Sequence, residues 1–273
     1  MNAHPRIQAL LLAAGLGTRL RPLTDHWPKC LMPIGRRPLL EYWLQTLYEV
    51  GIHSVLVNLH YCADEVATFL ARPRFVEWVK SVYEPELLGT AGTLRRNGDF
   101  FAEGTTLLVH ADNWCQCDFG GFIAYHQHVR PKQCAITMMT FDTDAPQSCG
   151  IVETDSENIV LAFHEKVANP PGCRANAAVY LLEPEVLTWI KENPEVSDFS
   201  TQVLPHYLGR IAVWHNQNIH RDIGTFPELL RAQLDPLPVL HWSEADEWQK
   251  KFLAHDVLKE IDDGISNANL ERI

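Results

Sequence analysis

Two rhythms of apolar and polar residues run along the chain, and they change over near residue 134. Before that point, short apolar runs alternate with segments of helical period. Residues 7–13 form an apolar run that stops at Gly15-Leu16-Gly17, which reads as a buried strand ending in a tight, exposed loop. Pro38 and the apolar positions Leu39, Leu40, Trp43, Leu44, Leu47 and Val50 predict a helix that ends at Gly51. Strands are expected over 54–59 and 105–111, helices over 63–70 and 119–128, and an extended segment over 81–84. This alternation predicts an α/β fold with a mostly parallel sheet and helices on both faces. Ligands of such sheets bind at the carboxyl ends of strands, where the Gly15 loop and Asp112 both fall.

After residue 134 the pattern becomes strands joined by short turns. Strands are expected over 135–141, 150–154, 159–163 and 175–182, with a turn at Asp155-Ser156-Glu157-Asn158. Helices over 184–192, 199–208 and 226–234 follow, with an extended stretch over 211–217. Asp235-Pro236-Leu237-Pro238 reads as a linker. Beyond it, residues 244–261 predict one amphipathic helix with Trp248, Phe252, Leu253, Val257, Leu258 and Ile261 on its apolar side. That face packs either on its own domain or against a second subunit, so a homodimer is one expected assembly.

Composition narrows the class. A chain of 273 residues with 46% hydrophobic and 21% charged residues can bury one substantial core. No apolar stretch approaches the ~20 residues of a membrane span, and the N-terminus lacks the pattern of a secretory signal. A cytoplasmic protein is expected. The net charge of −11 argues against general nucleic-acid binding. Cations that hold an anion must therefore be concentrated locally, as Arg19, Arg21, Lys29, Arg36 and Arg37 are, against the single carboxylate Asp25. Seven cysteines at irregular spacing do not form a disulfide framework, and Cys115-Gln116-Cys117 lacks the second pair of a zinc site.

Candidate chemistry begins at the first loop. Gly15 and Gly17 let backbone N–H groups approach an anion, Arg19 offers a planar fork of donors, and Lys29 adds a point charge. The stretch reads as a triphosphate cradle. It is not a Walker A loop, and the dinucleotide fingerprint fails at its third glycine, where Leu20 stands. A nicotinamide oxidoreductase is accordingly a weak alternative. In Leu88-Gly89-Thr90-Ala91-Gly92-Thr93, small residues would let a flat ring lie against backbone; the same string also suits a helix N-terminus. Asp112 ends an apolar strand, where its carboxylate suits Mg²⁺ or serves as a cap or turn former.

The string A-A-G-x-G-T-R-L-x-P-L-T, followed by P-K and P-I, resembles the signature of the sugar-phosphate nucleotidyltransferases. The form L-G-T-A-G-T is most similar to the GDP-mannose pyrophosphorylase (mannose-1-phosphate guanylyltransferase) branch. The resemblance covers residues 7 to about 232 and implies a Rossmann-like sheet with a nucleotide-binding part over about 1–133 and a sugar-phosphate part over about 134–235. Residues 236–273 have no counterpart, and no hexapeptide repeat of a C-terminal β-helix appears. Ala13, Ala14, Gly15, Gly17 and Thr18 would bind nucleotide phosphates, and Gly89, Thr90, Ala91 and Gly92 the base. Asp112 and Asp222, the latter in D-I-G-T, would share one Mg²⁺. Gly150, Glu165, Lys166 and Asn176 would bind the sugar phosphate, although Val167 and Ala178 replace the family's usual proline and glycine. Arg19, Lys29, Asp112 and Asp222 are the implied catalytic set.

The implied reaction joins a nucleoside triphosphate and a sugar 1-phosphate, releasing pyrophosphate. GTP with mannose 1-phosphate leads, with manno-heptose 1-phosphate next. The alternatives are UTP or dTTP with a glucose-type sugar phosphate, or a regulatory homologue that binds nucleotide-sugar without catalysis.

Overall fold

The computed structural model describes residues 6–102, 104–239, 241–242 and 246–270. Its first half contains β1 (Arg6–Leu12), the small hairpin β2 (Pro33–Ile34) and β3 (Arg37–Pro38), α1 (Leu39–Glu49), β4 (Val55–Leu59) and α2 (Ala63–Leu70). These are followed by β5 (Val79–Tyr83), α3 (Thr90–Arg96) and β6 (Gly104–His110). Strands β6, β1, β4 and β5 lie side by side and all parallel, with Leu10 opposite both Leu56 and Leu108.

The second half begins with β7 (Asn113–Cys115) and α4 (Phe119–Ala124). Four strands follow: β8 (Ile136–Asp142), β9 (Gly150–Thr154), β10 (Val160–Glu165) and β11 (Arg174–Leu182). Then come α5 (Pro184–Glu192), the single turn α6 (Leu204–His206), β12 (Ile211–His215), β13 (His220–Asp222) and α7 (Phe226–Ala232). The tail carries α8 (Glu247–Leu253) and α9 (Asp256–Leu270). Strand β11 runs antiparallel to β6 and joins the halves into one mixed sheet in the order β10-β9-β11-β6-β1-β4-β5. Strand β8 pairs with β11 and β12 beside this path. The expected Rossmann-like, mostly parallel sheet is therefore extended by antiparallel partners.

Side-chain alternation along the strands splits the core into two layers. Leu11, Val57, Leu107 and Val109 point into the layer that holds α1 and the tail, whereas Leu10, Leu56, Leu108 and Tyr180 point into the layer under α3 and α5. Both faces of β1 are thus buried, as its unbroken apolar run requires.

Three expected helices differ in the structure. Residues 119–128 and 199–208 pass from or into wider π-type turns, Tyr125–Val129 and Phe199–Val203, so neither is one regular helix. The tail helix is two helices, because His255 interrupts it and its Nδ1 accepts the Val257 N–H at the start of α9. Its expected first residues, Glu244 and Ala245, lie outside the described residues. The 235–238 segment is held on the core: Asp235 accepts from Arg221 and from the indole of Trp114, and Leu237 lies against Gly35. Among the described residues no helix is long and apolar enough to cross a membrane.

Candidate active site

The loop after β1 is fixed from below. Asn58, at the end of β4, accepts the Ala13 N–H at 2.8 Å. At Gly17, φ is +61°, and a Cβ there would stand 2.8 Å from the Thr24 methyl and 3.3 Å from Lys29 Cβ. Only glycine allows both the backbone conformation and this close approach. The approach brings in the turn Lys29–Leu31, whose lysine is buried.

Lys29 Nζ donates to Asp112 Oδ2 at 2.9 Å and to Asp222 Oδ1 at 2.8 Å. Arg19 donates to the other oxygen of Asp222 at 2.8 Å. These four residues, spread over 203 positions of sequence, form one cluster. What converges Asp112 and Asp222 is the pairing of β7 with β13, which sets Asn113 opposite Asp222. Neither three-residue strand was expected from the sequence. They are too short to show a period.

Burial disfavours the charged form of Asp222, but Lys29 and Arg19 outweigh it and hold the carboxyl down at about 2. Burial likewise opposes ionisation of Asp112, and Lys29 again prevails, leaving it below the usual carboxylate range. The Lys29 ammonium is favoured in turn by both carboxylates against its own desolvation. All three groups carry their charges at neutral pH. Two carboxylates aimed at one cation also suit Mg²⁺, which accepts one or two protein oxygens and takes the rest from water and phosphate. Asp112 and Asp222 are the residues that would hold it; among the described residues no group of three or more His, Cys, Asp or Glu forms a complete cage.

A cavity opens on either side of this cluster. One, of about 200 Å³, is lined by Ala14, Gly15, Gly89, Thr90, His110 and Asp112. The other, of about 520 Å³, includes Arg19, Asp142, Cys149, His220, Arg221 and Asp222. Lys29 bridges the carboxylate of one to the carboxylate of the other.

The 88–93 string is the start of α3 and not a free loop. Gly89, at φ +76°, lies so close to the Ser197 carbonyl that a Cβ would collide with it. The N–H groups of Ala91 and Gly92 both donate to that carbonyl. Gly89 and Thr90 line the smaller cavity, whereas Ala91 and Gly92 face the core. Beneath them lies a polar network that sequence reasoning missed: the Thr93 hydroxyl donates to Glu84 at 2.6 Å, and Asn58 Nδ2 donates to both Glu84 and Thr93. An Asn closing the apolar run of β4 was the available signal. His110, also missed, has a buried Nε2 without a hydrogen-bond partner among the described residues, in the wall of the smaller cavity.

The residues assigned to the sugar phosphate form their own group. Gly150 and Glu165 are register partners, and a Cβ on Gly150 would stand 2.7 Å from the Glu165 carboxylate. Lys166, exposed and at φ +49°, pairs with Glu165 at 3.5 Å. Asn176 donates to the Tyr180 hydroxyl at 2.6 Å across a bulge in β11, where Ala178 adopts φ +55°. The bulge explains why glycine suits position 178. Between this group and the Lys29 cluster stands His220, whose Nε2 donates to the Ala177 carbonyl at 2.9 Å.

A family model described as nucleotidyl transferase matches residues 8–237. The chain belongs to this family. The match takes in both cavities and the whole ion-pair cluster, and it ends before α8. Among related nucleotidyl transferases, the mannose-1-phosphate guanylyltransferase of Mycobacterium tuberculosis is 28% identical over 94% of this chain and 72% of its own length. The UTP–glucose-1-phosphate uridylyltransferase of Synechocystis is 28% identical over 83% of this chain and 62% of its own. The chain spans less than two thirds of the length of several curated relatives. The structure of a candidate glucose-1-phosphate thymidylyltransferase from Bacillus anthracis, solved with sucrose, superposes with a TM-score of 0.75. It covers 89% of this chain and 99% of its own at 20% identity, a likeness of fold.

Proposed function

We propose that the chain is a sugar-1-phosphate nucleotidyltransferase. The observation that carries the reading is Lys29, held between Asp112, which lines one cavity, and Asp222, which lines the other. A reaction between two anionic substrates needs one site for each and fixed positive charge at the junction. The smaller cavity, between the Gly15 loop and α3, takes the nucleotide. The larger, lined by Arg19 and residues of the second half, reaches Cys149 next to Gly150; Glu165, Lys166 and Asn176, assigned to the sugar phosphate, are not among its lining residues. The two cavities support a division of labour near residue 133.

A phosphate oxygen of the sugar 1-phosphate attacks the α-phosphorus of the triphosphate, and the bond from that phosphorus to the β-bridging oxygen breaks. The nucleophile is already an anion, so no side chain has to remove a proton. Backbone N–H groups of the Gly15–Gly17 loop and the Arg19 guanidinium hold the β- and γ-phosphates. Lys29 stabilises charge on the α-phosphoryl group, where it changes most in the transition state. Lys166 holds the sugar phosphate and Glu165 the sugar hydroxyls. Mg²⁺ on Asp112 and Asp222 would supply further neutralisation of the reacting phosphates.

GTP with mannose 1-phosphate is the preferred pair, supported by the L-G-T-A-G-T string and by relatives named as mannose-1-phosphate guanylyltransferases. The relative named for UTP and glucose 1-phosphate supports the second reading, the same reaction with that pair. Pyrophosphate release with Mg²⁺, screened over five nucleoside triphosphates and the 1-phosphates of mannose, glucose, N-acetylglucosamine and manno-heptose, tests both. One strongly preferred pair is expected. Silence across the grid, with triphosphate binding intact, refutes catalysis. In an active protein, Asp222→Asn is expected to shift the Mg²⁺ titration to higher concentration; an unchanged curve removes Asp222 from the metal site.

A further inference from the structure

The sequence assigns no task to the chain beyond α7, yet that segment grips the turn that carries Lys29. Trp27 is buried two residues before the lysine, and its indole N–H donates to the Leu31 carbonyl at 2.8 Å, spanning the Lys29 turn. On its other side the Trp27 ring meets three tail rings. Phe252 stacks at 5.8 Å, Trp248 lies at 6.4 Å, and His255 approaches to 4.3 Å between centroids. His255 is the residue that breaks the tail into two helices, so the break itself is what faces Trp27.

The tail reaches this position under restraint. Asp246 caps α8 and takes a 2.6 Å bond from Arg72, whose guanidinium lies over the rings of Phe69, Phe75 and Trp248. Further along the same turn region, Gln249 donates to the Arg36 carbonyl, and Gln233 bonds both Pro33 and Gly35. A lysine that must sit between two carboxylates and then on a phosphate gains from a turn that cannot drift, since misplacement by about 1 Å can cost a hundredfold in rate.

We propose that the C-terminal helices act through Trp27 to set the position of Lys29, making Trp27 and Phe252 positioning residues. The inference rests on Lys29 being the phosphate cation of the proposed reaction. Its test therefore has one arm that does not depend on turnover.

In full-length protein, amine acylation of Lys29 is measured by peptide mass spectrometry against exposed Lys191. The variants are Trp27→Phe, which keeps a ring but removes the indole bond, and Phe252→Ala, which removes the stacking partner. Ile261→Ala, an equally buried tail position on α9, is the control. Both test variants are expected to raise Lys29 labelling several-fold, Phe252→Ala most, while the control leaves it unchanged. With the substrate pair that the pyrophosphate screen identifies, kcat is expected to fall by about ten- to a hundredfold in Phe252→Ala with the triphosphate KM nearly constant. Unchanged Lys29 labelling overturns the proposal, as does raised labelling with unchanged kcat. If the parent protein turns over no pair, the labelling arm alone decides the positioning, and the reading of the reaction fails separately.

Discussion

Among the described residues, two networks of buried charge are built differently. Around Lys29, the lysine side chain is 7% exposed but its partners Asp112 and Asp222 are 31% and 46% exposed, each open to a cavity. Around Glu41 the carboxylate is wholly buried, Arg72 is 3% exposed, and Arg37, Arg74 and Asp246 close the rest. The first network leaves its charges reachable by a ligand. The second directs its charges at protein, fixing α1, the turn after α2 and the start of α8 to one another. Buried ion pairs alone therefore do not mark a site; the exposed flank does.

Substitutions should separate the two. Glu41→Gln leaves three arginines without their shared counter-charge and is expected to cost about 3–5 kcal/mol of stability, read by denaturant unfolding, with normal turnover in the protein that remains folded. Lys29→Met is expected to do the reverse. Turnover falls by about a hundred- to a thousandfold, while water from the two cavities solvates the freed carboxylates and the unfolding midpoint moves much less. If Lys29→Met unfolds the protein as severely as Glu41→Gln, the contrast between the networks collapses.

The Glu41 network also predicts an acid response of the tail. Burial alone would raise the Asp246 carboxyl, but Arg72 and Arg74 and the Gln249 N–H hold it below its ordinary value. A depressed carboxyl contributes stability above the unfolded value of about 4 and loses it as pH falls through the folded one. Tryptophan fluorescence from Trp248 is expected to report release of α8 in that acid range, and Asp246→Asn should abolish the pH dependence. The smallest effect belongs to a pair outside both networks. Arg36 and Asp262 are largely exposed at 3.3 Å, and Asp262→Ala is expected to change stability by no more than about 0.5 kcal/mol.

Much of the frame was legible because it is made of long apolar runs. The strands at 6–12, 55–59, 104–110 and 150–154 and the helices at 63–70 and 184–192 fall where period and turn residues place them. Lys29, Asp112 and Asp222 were legible as single residues at strand ends or in turns. Their meeting was expected from family likeness alone, because the two short strands that cause it carry no periodic signal. Glu84 and Thr93 were illegible for another reason. Each is an ordinary polar residue whose role exists only in the network it completes. The tail misled in a third way: its apolar spacing was read correctly except at Leu253, which is exposed, but one side-chain acceptor, His255 Nδ1, restarts the helix and redirects its face toward Trp27.

Strand β11 has a consequence for how the molecule can move. It is hydrogen-bonded to β6 from the first half and to β8 and β9 from the second, so the two cavities stand on one continuous floor. A hinge between them would have to bend this sheet. The halves are not separate lobes joined by a loose linker, so the final approach of two anions is expected to fall mainly to side chains and turns a few residues long. The same continuity means that a chain cut near residue 133 would expose the edge of β6, leaving each fragment to recover its missing neighbour from the other.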